Sequence, residues 1–191
     1  MAITINGNGT IGGVSVGGLP DGIVDTDMLA SAAVTSAKVG SLGASNMPAG
    51  SVVQVVINST TTQITASNNT VADILSTTIT PQFSTSKILV LATVMGVYRN
   101  AQSGYSGARV AIWLYRGGTA IQACDGTFYL PSTTTHFRHG GFSINHLDNP
   151  ATTSATTYTL KFQPTDFGAA GQVCRDSNSG ATTLTLLEIA Q

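Results

Sequence analysis

The chain's three histidines, His136, His139 and His146, sit close together in THFRHGGFSINH. Clustered imidazoles suggest a metal site. In a strand, however, side chains alternate between the two faces, which sends His136 and His139 to opposite sides. Gly140-Gly141 could shift that register through a bulge, and a threefold axis would gather three ligands from one histidine per chain. The simpler reading makes all three polar positions on half-exposed strands near a turn. Neither a metal nor a cofactor is expected.

Catalytic patterns are sparse. Paired carboxylates would suit glycoside cleavage, and Asp166 and Asp176 share the irregular stretch PTDFGAAGQVCRDSNSG, while Asp125 follows Cys124. These aspartates lie in turn-forming sequence, and Glu188 is the sole glutamate. A GxSxG nucleophile elbow is missing. The glycines of GNGTIGG have no strand-then-helix unit around them, so a phosphate loop or dinucleotide fingerprint fails. Two cysteines without a CxxC exclude a cysteine metal site. The expectation is a protein that is not an enzyme.

Binding chemistry is better represented. Residues 98–109, YRNAQSGYSGAR, hold Tyr98, Arg99, Asn100, Gln102, Tyr105 and Arg109. An aromatic face against the apolar side of a sugar, ringed by planar polar groups, is how carbohydrate is held. The two arginines would pair with acidic sugars or phosphate. The alternative packs Tyr98 in the interior and leaves Arg99 and Arg109 to solubilise a loop. Residues 130–141 and 164–180 are the other loop regions where function would sit on a rigid scaffold. Trp113 falls inside a strand and reads as core.

These groups need a frame, and the composition says which kind. Of 191 residues only 9% are charged, net charge is −1 and 42% are hydrophobic. Helices with charged outer faces are nearly excluded, and disorder is too, since it couples low hydrophobicity with high net charge. Thr and Ser take the place of charges, as on half-exposed strands. Near-zero net charge argues against nucleic acid or an anionic membrane as partner. No apolar run is long enough to span a bilayer, so membrane insertion is not expected. The first residues, MAITINGNGT, lack the basic start and apolar run of a signal peptide. Cys124 and Cys174 read first as free thiols of a reducing cytoplasm, with a disulfide as the second reading.

From residue 51 the pattern is of strands: 51–57, 61–66, 73–80, 86–98, 108–116, 119–123, 135–146, 156–163 and 181–189. Ile112 and Leu114 alternate with Trp113 and Tyr115, and Tyr158, Leu160 and Phe162 with Thr157, Thr159 and Lys161. Short strands with turn signals between them and no intervening helix predict an antiparallel β-sandwich, with a jelly roll as the preferred version. Ahead of it, residues 1–20 are Gly-rich extended pieces broken by turns. Residues 21–39, DGIVDTDMLASAAVTSAKV, repeat at an offset of ten, with Val24 on Val34 and Leu29 on Val39. A helix near 26–38 is predicted, marginal in isolation at about 12–15 residues. Residues 40–50 form a Gly/Ser/Pro linker.

The Gly-rich opening, the DGIVDTDMLA…AVTSAKV unit, ITPQFSTSKILV, LDNPATTSATTYTL and the closing LTLLEIA resemble virion proteins of tailed bacteriophages. In particular they resemble short tail-fibre or fibre-like proteins of phages infecting marine and freshwater bacteria. The resemblance covers nearly the whole chain. It implies a homotrimer whose segment 1–20 attaches to a tail or baseplate protein. Residues 21–49 would be stem and linker, with Val24, Met28, Leu29, Val34 and Val39 packing against two other copies. Residues 50–191 would be the outward head, similar to trimeric jelly rolls of the tumour-necrosis-factor type. The implied role is attachment to a host-surface glycan or other receptor, in a virion tail assembled in the host cytoplasm. The alternatives are a capsid decoration, collar or baseplate appendage without a receptor site, and a polysaccharide-degrading enzyme.

Overall fold

The computed structural model describes residues 4–5, 11–12, 29, 31, 33–35, 43–100, 107–129, 136–165, 170–175 and 180–191. The chain divides into two compact units, Met1–Gly43 and Ala44–Gln191.

In the first unit β1 (Thr4–Ile5) and β2 (Ile11–Gly12) pair antiparallel, Thr4 opposite Gly12 and Ile5 opposite Ile11. Extended pieces broken by glycine were expected here. The predicted helix near 26–38 is not formed at its described residues: Leu29, Ser31 and 33–35 are bend, turn or irregular. A single copy of so short a segment lacks the tertiary packing that would hold a helix. Leu29 and Val34 are exposed in the single chain, and Val24, Met28 and Val39 lie outside the described residues.

Among its described residues the second unit opens with a 3-10 turn, Ala44–Asn46, and its other regular elements are strands. They are β3 (Val52–Thr60), β4 (Ile64–Ala66), β5 (Ala72–Ile79), β6 (Lys87–Asn100), β7 (Gly107–Arg116), β8 (Thr119–Tyr129), β9 (His136–Asp148), β10 (Thr156–Thr165), β11 (Gly171–Val173) and β12 (Thr182–Ile189). All nine predicted strands are present. The addition is β11, whose three residues carry no period for a sequence pattern to show.

One sheet runs β5-β10-β7-β8. The other runs β3-β12-β6-β11-β4, with β9 on the remaining edge of β6. β12 lies along Lys87–Thr93 of β6, and β11 lies further along the same edge at Tyr98 and Arg99. β3 and β4 continue one another in the same way, β3 beside β12 and β4 beside β11. The larger sheet is therefore four ranks wide: β3/β4, β12/β11, β6 and β9. Every pairing is antiparallel, and successive ranks alternate between the sheets except at the β7–β8 hairpin, which is the jelly-roll order.

Strand alternation builds the core. Ile88, Val90, Ala92 and Val94 of β6 and Leu184 and Leu186 of β12 face Val110, Ile112 and Leu114 of β7 and Tyr158, Leu160 and Phe162 of β10, all buried. Trp113 has the opposite parity to Ile112 and Leu114. It lies half-buried on the outer face, between Lys161 and Ala123, and is not core. Gly140-Gly141 does not introduce a bulge, since β6 and β9 keep register from Ile88–Asp148 to Asn100–His136. A Cβ on Gly141 would come within 2.6 Å of the Val94 carbonyl oxygen, so glycine here permits close approach.

Candidate functional site

The registers sort the connections into two ends. Asn100 lies opposite His136, Gly107 opposite Tyr129, Thr165 opposite Arg109, and Gly171 opposite both Ala66 and Arg99. The segments 67–71, 101–106, 130–135 and 166–170 therefore all leave from one end, the loop end. At the other, the root end, Lys87 pairs Ile189, Ile88 pairs Asp148, and Tyr158 and Thr119 pair Arg116. The chain enters at the root end, where Gly50 N–H donates to the Ala190 carbonyl at 2.8 Å and Ala190 N–H to the Ser51 carbonyl at 2.9 Å.

Tyr98 and Arg99 belong to β6 and not to the loop, and both are buried. For Arg99 the cause is a change of phase. Even-numbered residues of β6 face the core through Val94, whereas beyond Gly96 (φ 60°) the odd-numbered Val97 and Arg99 do. The Met95 and Gly96 carbonyls accept from Cys174 N–H and Arg175 N–H across this kink, where the edge of β6 passes from β12 to β11.

Arg99, 1% exposed, spans the sandwich. Its Nη1 donates to the carbonyls of Arg109 on β7 and Thr165 on β10, and its Nη2 to Asn68 Oδ1 at 2.9 Å. One guanidinium thus ties β6 to the opposite sheet and to the turn after β4. That turn is fastened again by Asn69, which has a positive φ of 59°. Its N–H donates to the Pro164 carbonyl at 2.7 Å, and its carbonyl accepts from Gln163 Nε2 at 3.1 Å. Arg175 stacks on the Tyr98 ring, 3.4 Å from its centroid.

Arg109 faces outward and pairs with Asp125, its Nε donating to Oδ2 at 2.6 Å. Asn100 ends β6 opposite His136. Gln102 and Tyr105 lie outside the described residues, as do Asp166 and Asp176. The structure thus gathers Arg99 and Arg109 at one end but gives them different work: the first holds the frame, the second sits on its surface. Asn68 and Arg175 are contributors that residue spacing did not show, because each reaches the site from a distant strand end.

Of the histidines, His146 is half-buried opposite Val90, and His136 and His139 lie on β9 opposite Asn100 and Val97. Among the described residues no three His, Cys, Asp or Glu side chains come together in a group able to hold a metal. Cys124 and Cys174 are free thiols.

No family model matches the chain, and no curated protein matches its sequence. Solved structures do. A chain of infectious bursal disease virus strain Gx is 12% identical over 73% of this chain, with a TM-score of 0.40. A chain of the infectious bursal disease virus VP2 subviral particle is 13% identical over 73%, with a TM-score of 0.36. A chain of Bacillus endospore appendages, described as disulfide-linked pili, is 15% identical over 76% of this chain and 96% of its own, with a TM-score of 0.30. This chain spans 33% and 34% of the two viral chains.

The root end carries the second polar cluster. Glu188 is fully buried and accepts from Gln54 Nε2 at 2.5 Å, Gln82 N–H at 2.8 Å and Phe83 N–H at 3.3 Å. Burial alone would raise its pKa. The bonds from Gln54 and those two amides outweigh it and hold the carboxyl below its usual value. Nearby, Arg116 Nη1 donates to both Asp148 oxygens at 2.8 and 2.9 Å, and the Tyr158 hydroxyl donates to Oδ2 at 2.6 Å. Burial first, then Asp148, push the Tyr158 hydroxyl far above its ordinary pKa, with Arg116 opposing.

Proposed function

We propose that the protein is a non-enzymatic structural component of a phage tail, a short tail fibre whose sandwich binds the host surface through its loop end. It acts as a homotrimer, held to the tail or baseplate by residues 1–20 and located in the virion after assembly in the host cytoplasm. The observation that carries this reading is the separation of ends. The chain reaches the sandwich at the root end, and the segments bearing Gln102 and Tyr105 leave from the opposite one. A surface glycan fits the residue types at that end, and three weak sites on one particle gain avidity without any one being strong. The sequence resemblance supplies the virion and the number of copies.

The burial of Tyr98 and Arg99 favours the second reading: a capsid decoration, collar or baseplate appendage with no receptor site. A glycan array probed with the full chain separates the two. Binding to a defined glycan class, lost at least tenfold in Tyr105→Ala, supports attachment. A blank array, or binding untouched by Tyr105→Ala and Gln102→Ala, refutes it.

A further inference from the structure

The two sheets turn chemically different faces outward. On the smaller sheet the outward rows carry polar pairs beside Trp113 and Tyr115: Ser76 bonds Thr159 at 2.9 Å, Thr78 bonds Thr157 at 2.8 Å, and Lys161 pairs Asp73 at 2.8 Å. On the larger sheet the registers line up Val55, Leu187, Leu89 and Leu147 in one row across all four ranks. The next row sets Ile57, Thr185, Leu91 and Asn145 side by side. Ile57 is 65% exposed, Val55 56% and Leu147 54%. One row further the face becomes Ser59, Thr183, Thr93 and Ser143. The aliphatic patch is therefore bounded and confined to the root half of one face.

We propose that this face is where copies of the chain pack against one another. It deepens the oligomeric part of the reading above and rests on it for the number of copies alone. The exposed aliphatic area is roughly 500 Å² per copy, at the upper end of what a free monomer shows. With its Ser/Thr rim it approaches the roughly 800 Å² per partner of a stable interface. The two aliphatic rows contain no charge, and Lys87, opposite Ile189, is the charged residue at their margin. A contact between copies through this patch therefore brings no like-charge repulsion.

The edge beside the patch is occupied within the chain. The outer side of β3 turns toward β5 of the smaller sheet, where Gln54 Nε2 donates to the Thr80 carbonyl at 2.7 Å and Asn58 Nδ2 to the Ser76 carbonyl at 2.9 Å. The aliphatic face itself, and not this edge, is the surface left for a neighbouring copy.

Sedimentation of the full chain tests the assignment. The wild type should associate at micromolar concentration, and Ile57→Lys/Leu147→Lys should weaken association at least a hundredfold with its β-sheet circular dichroism unchanged. Thr78→Lys, on the polar face, should associate as the wild type does. If the lysines unfold the chain, Ile57→Thr/Leu147→Ser gives the same comparison with an expected tenfold loss. A double variant that associates as tightly as wild type overturns the proposal while leaving the oligomer intact. A wild type that stays monomeric overturns it too, and assigns the face to a different protein. A blank glycan array would leave it standing.

Discussion

The two ends of the sandwich are closed by the same device with opposite charge. At the root end the Glu188 carboxylate collects backbone N–H groups from the β5–β6 turn. At the loop end the Arg99 guanidinium collects backbone carbonyls from β7 and β10. Each is a buried ion neutralised by peptide dipoles, which spares the cost of an uncompensated charge. The difference is that a carboxylate titrates in an accessible pH range and a guanidinium does not.

Breaking the loop end should cost most. Arg99→Met removes a buried donor from two carbonyls and Asn68 at once, and we expect a loss of about 3–5 kcal/mol in urea unfolding. Arg99→Lys should recover only part of it, because an ammonium cannot reproduce the planar fork. Glu188→Gln keeps the shape and removes the charge, so a loss of about 1–3 kcal/mol at neutral pH is expected. Its folded pKa is depressed, so the unfolded chain binds the extra proton and the stabilisation holds above the unfolded value. Wild-type stability should fall as pH drops below about 4.3, and the gap to Glu188→Gln should close there.

Tyr158→Phe is the next smaller change, about 1 kcal/mol at neutral pH for one hydrogen bond to Asp148. Here the folded pKa is raised. Its contribution is complete below the unfolded value and lost as pH rises past about 10, a loss the phenylalanine variant should not show in alkaline unfolding. Arg109→Ala should cost under about 1 kcal/mol, shrinking further in high salt, because its pair with Asp125 is exposed. An Arg109 effect as large as that of Arg99 would erase the distinction between frame and surface at the loop end.

The strands were legible because alternation is local. Ile112 and Leu114 against Trp113 and Tyr115 state a strand and its two faces without reference to the rest of the chain. The same parity already placed Trp113 outside, although its position inside a strand read as core. Arg99 was not legible. It follows a regular run from Ile88 to Val94, and the phase change at Gly96 that turns it inward depends on Cys174 and Arg175 bonding there. The aliphatic rows were equally hidden, since Val55, Leu187, Leu89 and Leu147 become one surface only when four registers are known. The predicted helix rested on local propensity alone, and so short a segment needs a partner to hold it.

The central claim is that the root end faces the particle and the loop end faces out. An electron-microscopic reconstruction of the virion that carries this chain tests it directly. The sandwiches should project from the tail, with Ala190 and Ser51 toward the particle and the 101–106 and 130–135 segments away from it. Sandwiches whose loop end is buried against the particle, or that sit within the capsid shell, would contradict it.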